Sequence, residues 1–487
     1  MVSNNGNNAG QSRPSTTFSP PVSPGIFLNW QKHQLIIIGI CVMLIMLPFV
    51  GGSKISVRNI CLGFVIAFTA VTKNRRSMWQ LLGIRLGYAA RAATGQTRWT
   101  QSPASVNSEV AYIDLPGATG KRLKPYAIVN TAFDGACFLW DVQRREATAV
   151  LRLMGTGFKW QDDSEKNERT DAWSNFMKQV AEMPDVVRVV TQARTVPMPT
   201  VSTRKNDGSW ADRQLQHVED NRMPQHSGHD LILSVTINPH HKSVRKEVFK
   251  HGGGMKGISQ VLSKRLETLV RMAAKAGADP KNVVWLSAGQ IRGLMKTMAD
   301  NSAFTCLDEN GVLPDDIPVS TSYREFSDCI QAGNVCARTF WIDKWPDRPV
   351  QGGFLQTFIE QHSDSLIFTQ VWKGLPADKA AKALNNRKNE LERLNSLNAR
   401  LGRNADKNAV YQQMEADARL DELVHAGADV AFQGFITVIA DNKTVLDKRC
   451  ANLKTNNASI IHLDPMRGQQ WSGWVYAQPL GQAGRAD

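Results

Sequence analysis

Leu35–Gly52 reads LIIIGICVMLIMLPFVGG, an uncharged run of Ile, Leu, Val and Met closed by Pro48 and a glycine pair. At 1.5 Å per residue such a helix reaches most of the way across a hydrocarbon layer of about 30 Å. A second, shorter apolar run follows from Ile60 to Val71. To span, its helix must begin near Ile55, with Arg58 reaching back to the interface. Gly51, Gly52, Ser53 and Lys54 between the runs read as a tight turn. The expectation is a transmembrane helical hairpin over residues 31–76.

Charge is arranged around this segment. The chain of 487 residues carries a net charge of +14, and its first carboxylate is Glu109. Ten cations precede it: Arg13, Lys32, Lys54, Arg58, Lys73, Arg75, Arg76, Arg85, Arg91 and Arg98. The remainder is nearly balanced, so the basicity belongs to the apolar end and points to a membrane rather than to general nucleic-acid binding. Lys73, Arg75, Arg76, Arg85 and Arg91 follow the second run. The positive-inside rule then places both the N-terminus and the large C-terminal part in the cytoplasm, as a multi-pass protein of the plasma membrane. Those five cations are the candidate lipid-headgroup and topology residues, at about 1 kcal/mol each near an anionic surface. Trp30 and Trp79 flank the pair as interface anchors.

Two other readings of the apolar runs exist. A cleaved signal peptide conflicts with the polar leader, the second run and the lack of an A-x-A-like site. A buried soluble hairpin is consistent with the shortness of the second run. The leader, residues 1–30, is rich in Asn, Ser, Pro and Gly and cannot bury a core, so disorder is expected there. Residues 77–104 form a basic juxtamembrane segment. Within it Trp79, Leu82, Leu86, Ala89 and Ala93 share one helical stripe, suited either to an inner leaflet or to the protein body.

The rest alternates strand and helix signals, and the class is α+β, a large mixed α/β region without a nucleotide-binding motor domain, divided at residues 105–345 and 346–487. Strands are expected at Val186–Val190, Asp230–Ile237, Val283–Leu286, Ala337–Ile342, Ser365–Val371 and Phe432–Ala440. A helix is expected over Ile258–Ala276, capped by Gly277. Ser287 to Gln290 has capping-box form and opens a helix to about Met298. Leu384, Leu391, Leu394, Leu397 and Leu401 mark a helical pair over 377–426.

The chemistry-bearing residues form no catalytic constellation. The seven cysteines contain no C-x-x-C, as a reducing compartment allows. GATGKR (Gly117–Arg122) has two residues between its glycines and Arg122 after Lys121, so it is not a phosphate loop; Gly252–Gly257 fails likewise, and both read as flexible turns. His226, His229, Asp230, His240 and His241 are the one local cluster of metal-binding residue types, without a metal-site signature. No G-x-S-x-G elbow occurs. No cofactor is expected.

The Pro24, Gly25, Trp30 approach, the hairpin and the R-L-G-Y segment (Arg85–Tyr88) together resemble the PrgI-like hairpin proteins of Gram-positive conjugation machines. ARTFWIDKWPDRPVQGGFLQTF (Ala337–Phe358) resembles the N-terminal, non-ATPase domain of TrbE/CagE-type conjugation ATPases. ELVHAGADVAFQGFITVIADN (Glu422–Asn442) resembles the corresponding part of an actinobacterial family that fuses both parts, encoded among conjugation and type IV secretion genes. The resemblance covers about residues 20–480 and implies a non-catalytic, membrane-anchored scaffold, not an enzyme, that docks a separate conjugation ATPase and coupling protein beside other type IV secretion membrane subunits, on a phospholipid membrane. Homo-oligomers are compatible with it, and stable specific nucleic-acid binding is not expected. The alternatives are an accessory membrane subunit of a type VII secretion system and a membrane-tethered metallohydrolase using His226, His229 and Asp230.

Overall fold

The computed structural model describes residues 32–50, 57–73, 76–100, 113–128, 135–153, 163–197, 209–210, 227–274, 283–300, 302–346, 350–351, 365–376, 428–457 and 460–483, with Ser15–Thr16 and short helical pieces between 381 and 396. Its body is one antiparallel sheet of 13 strands. In chain order these are β1 (Arg98–Thr100), β2 (Leu123–Ala127), β3 (Cys137–Asp141), β4 (Glu146–Leu153), β5 (Val186–Pro197), β6 (Ser227–Ile237) and β7 (Val283–Trp285). Then come β8 (Ser322–Glu325), β9 (Ile330–Ala332), β10 (Val335–Lys344), β11 (Leu366–Pro376), β12 (Ala428–Ala440) and β13 (His462–Pro465). The spatial order is β1-β8-β9-β10-β12-β11-β5-β6-β4-β3-β2, with β7 also on β4 and β13 also on β10.

That order contains the same arrangement twice. β4, β5, β6 and β7 lie as β7-β4-β6-β5, the order of a split β-α-β unit. β10, β11, β12 and β13 lie as β13-β10-β12-β11. Each unit is entered through a meander, β2-β3-β4 or β8-β9-β10. In each, the first strand shares one edge between the meander and the unit's last strand. The two units join through β5 and β11, paired from Leu366↔Thr195 to Trp372↔Val189. Internal detail repeats too. Thr148 on β4 meets Thr236 on β6 with hydroxyl oxygens 2.9 Å apart, and Thr339 on β10 meets Thr437 on β12 at the same distance.

Both faces of the sheet are covered, which is why its strands read as near-continuous apolar runs. One face carries the helices α5 (Asp163–Ala181), α6 (Lys242–Lys250), α7 (Gly254–Ala274) and α9 (Lys443–Asn457), α8 being Ala288–Ala299. Ala149, Leu233, Val235, Leu262 and Leu266 fill the first unit's core on that side, and Phe340, Ile436, Leu446 and Leu453 the second's. The opposite face carries α8 and α10 (Gln470–Ala477), with Ile232, Met295, Ile439 and Trp474 in contact. α5 reaches across the junction to β11 and β12, so the units interlock.

Each expected strand matches a strand of this sheet, but Leu286 and Ser365 fall outside β7 and β11, while β5 runs on to Pro197 and β12 begins at Ala428. The Ser287/Gln290 capping box is formed in both directions. Gly117–Arg122 is not a flexible turn but a short helix, α4. Its Gly120 lies so close to Leu115 O, 1.7 Å from where a Cβ would stand, that only glycine fits. Gly252, Gly253 and Gly254 do make a turn, all at positive φ, between α6 and α7. Gly277 and the parts of the 377–426 helical pair beyond the helical pieces lie outside the described residues, as does most of the leader. Residue 345 falls just past β10, within the second unit.

The membrane-spanning hairpin is corrected. Residues of both apolar runs are helical, α1 over Lys32–Val50 and α2 over Val57–Ala70, and the two helices touch. Among the described residues, however, no helix is long and apolar enough to cross a membrane. α1 opens on Lys32, His33 and Gln34, so its apolar part starts at Leu35 and covers only about 24 Å. α2 has 14 residues and includes Arg58; it covers about 21 Å. Both fall short of a hydrocarbon layer of about 30 Å. The transmembrane, integral-membrane and multi-pass plasma-membrane assignments, and the orientation drawn from flanking charge, fall with that finding. The intervening Gly51–Lys54 turn lies outside the described residues.

Candidate docking surface

α1 is apolar on nearly every side. Cys41 is buried, yet Ile36, Ile40 and Met43 are exposed, Met43 at 66%. On α2, Phe64 is 73% exposed. A helix that is hydrophobic all round normally lies inside something, and each large apolar side chain left in water forgoes about 1.5–3 kcal/mol of burial.

α3 (Met78–Ala93) connects this pair to the body. Its start is fixed by a capping box: Ser77 Oγ accepts from Gln80 N at 3.3 Å and Gln80 Oε1 accepts from Ser77 N at 3.1 Å. A short ribbon, Thr72–Lys73 against Arg76–Ser77, precedes it. Trp79 closes the corner between α2 and α3. Its indole N–H donates to Thr69 Oγ1 at 2.9 Å, and its ring stands edge-on to Phe68 at 5.0 Å.

Ile84, Tyr88 and Arg91 face the body at helical spacing. Ile84 and Tyr88 press on Gly468, where a Cβ would stand 3.3 Å from each. Arg91 Nη2 donates to Gly468 O at 2.7 Å, and Nη1 lies 3.4 Å from Glu325 Oε2. Glu325 also accepts from Trp471 N at 3.0 Å, and burial still holds its carboxyl above the usual range. Tyr88 is raised as well, first by burial and then by Glu325. β1 then adds to β8, with Trp99 beside Tyr323 at 5.5 Å. The stripe read from sequence is on the other side: Trp79, Leu82 and Leu86 are exposed, Leu86 at 61%.

The other expected site residues scatter. Trp30 and Arg75 lie outside the described residues, as do the side chains of Lys73 and Arg76. Trp79 is a joint between helices, Arg85 is exposed, and Arg91 is committed to Glu325 and Gly468. His226 and the side chain of His229 are likewise outside the described residues. Asp230 accepts from Arg152 Nε at 3.0 Å, His241 caps α6, and His240 packs edge-on to Trp140. Among the described residues no group of three His, Cys, Asp or Glu could hold a metal ion.

What sequence reading missed is a buried polar seam under the C-terminal segment. Arg188 is 3% exposed; its Nη1 lies 2.6 Å from Glu146 Oε2 and its Nε donates to Gly481 O at 2.7 Å. Burial pulls its pKa down despite the carboxylate. Arg122 pairs with Asp141 at 2.9 Å and donates to Gln482 Oε1 at 2.7 Å. Only the pairing of strands distant in sequence brings these together.

No family model and no curated protein matches the chain.

Proposed function

We propose that this chain is a non-catalytic scaffold subunit of a type IV secretion or conjugative DNA-transfer apparatus, docking a separate ATPase. The observation that carries the reading is the joint at α3: an apolar, acid-free helical surface is held by Trp79, Arg91 and Gly468 to a body whose sheet is closed on both faces. Among the described residues such a body presents surfaces and edges to partners. Several of its charges are tied to one another, Arg188 to Glu146, Arg265 to Asp185 and Arg338 to Asp328, which supports the same reading. An RNA or DNA strand would also find no bare sheet face among the described residues. The family itself rests on the sequence resemblance.

The test is affinity purification of the tagged full chain from its native cell after mild crosslinking, with mass spectrometry of what accompanies it. A conjugation-type ATPase or coupling protein is expected among the recovered proteins. Recovery of type VII core subunits instead, or of no secretion component, would overturn the proposal.

A further inference from the structure

The exposed apolar face of α1, α2 and α3 carries information about what covers it. Its exposed members are Met43 of α1, Phe64 of α2 and Leu82 and Leu86 of α3, with Trp79 joining α2 to α3. No acidic residue occurs before Glu109, ten cations precede it in the sequence, and Arg85 among them is exposed beside the apolar residues of α3. A second copy of the chain pairing through the same helices would bring together two segments whose sequence holds cations and no acid, and like charges at close range repel. The occupant must be apolar and must bring negative charge.

We infer that this face seats on an anionic lipid surface, entering one leaflet without crossing it. The geometry suits that occupant. α3 is fixed to the body along Ile84, Tyr88 and Arg91, which leaves Leu82 and Leu86 pointing away, with Arg85 exposed beside them. An apolar stripe bordered by Arg or Lys is the arrangement by which helices rest in the headgroup and acyl boundary. The short α2 is of a length suited to an interfacial segment rather than a span. The inference stands apart from which assembly the chain serves.

The experiment is flotation of the full chain with phosphatidylcholine vesicles and with vesicles that also contain phosphatidylglycerol, at low and high salt. Binding to the anionic vesicles should exceed binding to the zwitterionic ones by roughly tenfold and weaken with salt. Leu82→Asp/Leu86→Asp should abolish it. Arg85→Glu, at an exposed position, should reduce it by roughly tenfold at an unchanged unfolding midpoint. Absence of binding, equal binding to both vesicle types, or variants that float like the parent would overturn the inference. So would a stable dimer in light scattering that these same substitutions dissociate, because a second copy would then be the occupant.

Discussion

The two threonine pairs give the sharpest check at the scale of single residues. Thr339 and Thr437 are each about fully buried, and their hydroxyls satisfy one another. Thr339→Val leaves the Thr437 hydroxyl without its partner, at a cost of about 1–3 kcal/mol, whereas Thr339→Val/Thr437→Val should lie closer to the parent. Thr148 and Thr236 occupy the corresponding place and should show the same pattern; urea unfolding of the four single and two double variants measures it. Asp114 supplies a pH signature. It accepts from Val319 N at 2.6 Å, but its other oxygen is buried without a partner, and burial holds its carboxyl above the ordinary 3.8. The folded chain therefore binds this proton more tightly than the unfolded chain, so stability falls as pH rises from the ordinary carboxyl value through the raised one. Asp114→Asn removes the titration. It should be more stable than the parent above that window, with the difference lost below it, as seen in denaturation midpoints across pH.

At the scale of elements, close approaches decide how helices seat on the sheet. A Cβ on Gly473 would stand 2.5 Å from Thr339 Cβ, so α10 lies against β10 only because that position is glycine. Gly473→Ala should cost about 1–3 kcal/mol by overpacking, while Ser472→Ala, one residue away, serves as the control; thermal unfolding separates them. Much at this scale was legible in sequence. DLILSVTI and FITVIA are β-branched, apolar stretches that belong in a doubly covered sheet, and Ser287 with Gln290 fixes the start of α8 by local hydrogen bonds alone. The helix lengths were not, because apolar composition cannot say whether Lys32–Gln34 and Arg58 fall within the helices they border. Nor was the side of α3 that faces the body, since Ile84 and Tyr88 are no more apolar than Leu82 and Leu86. The contact is chosen by Gly468 and Glu325, far along the chain. The repeat left one faint trace: Thr236 and Thr437 precede Lys242-Ser243-Val244 and Lys443-Thr444-Val445 at equal spacing. The strands around them have diverged, since either unit needs only apolar residues of suitable volume.

For the whole molecule, the question is whether two similar units fold as one. Their shared edge, β5 with β11, is ordinary strand pairing, and the apolar core under α8 and α10 spans both units; two further ties cross the edge. α5 passes from the first unit onto β11 and β12, and the segment Gln478–Ala483, which follows the second unit, lies over the first. There Gly481 sits at φ +59, a Cβ would meet Thr148 Cγ2 at 2.6 Å, and its carbonyl accepts from Arg188. Gln478 O accepts from Gln192 Nε2 at 3.0 Å. Ending the chain at Ala477 would strip acceptors from Arg188, Arg122 and Gln192 together. Hydrogen bonds to buried charged donors contribute about 1.5–3 kcal/mol each, so the loss should exceed about 3 kcal/mol. It should fall on the first unit, where Arg188 keeps Glu146 as its partner among the described residues. The intact body is expected to unfold in urea as one cooperative transition. The shortened chain should show two, the earlier one reported by Trp140 and Trp285 of the first unit and the later by Trp341 and Trp345 of the second, each followed in a single-tryptophan background. A shortened chain that still unfolds in one step at the parent's midpoint would mean that the β5–β11 pairing, α5 and the apolar core under α8 and α10 join the units without help from the polar seam.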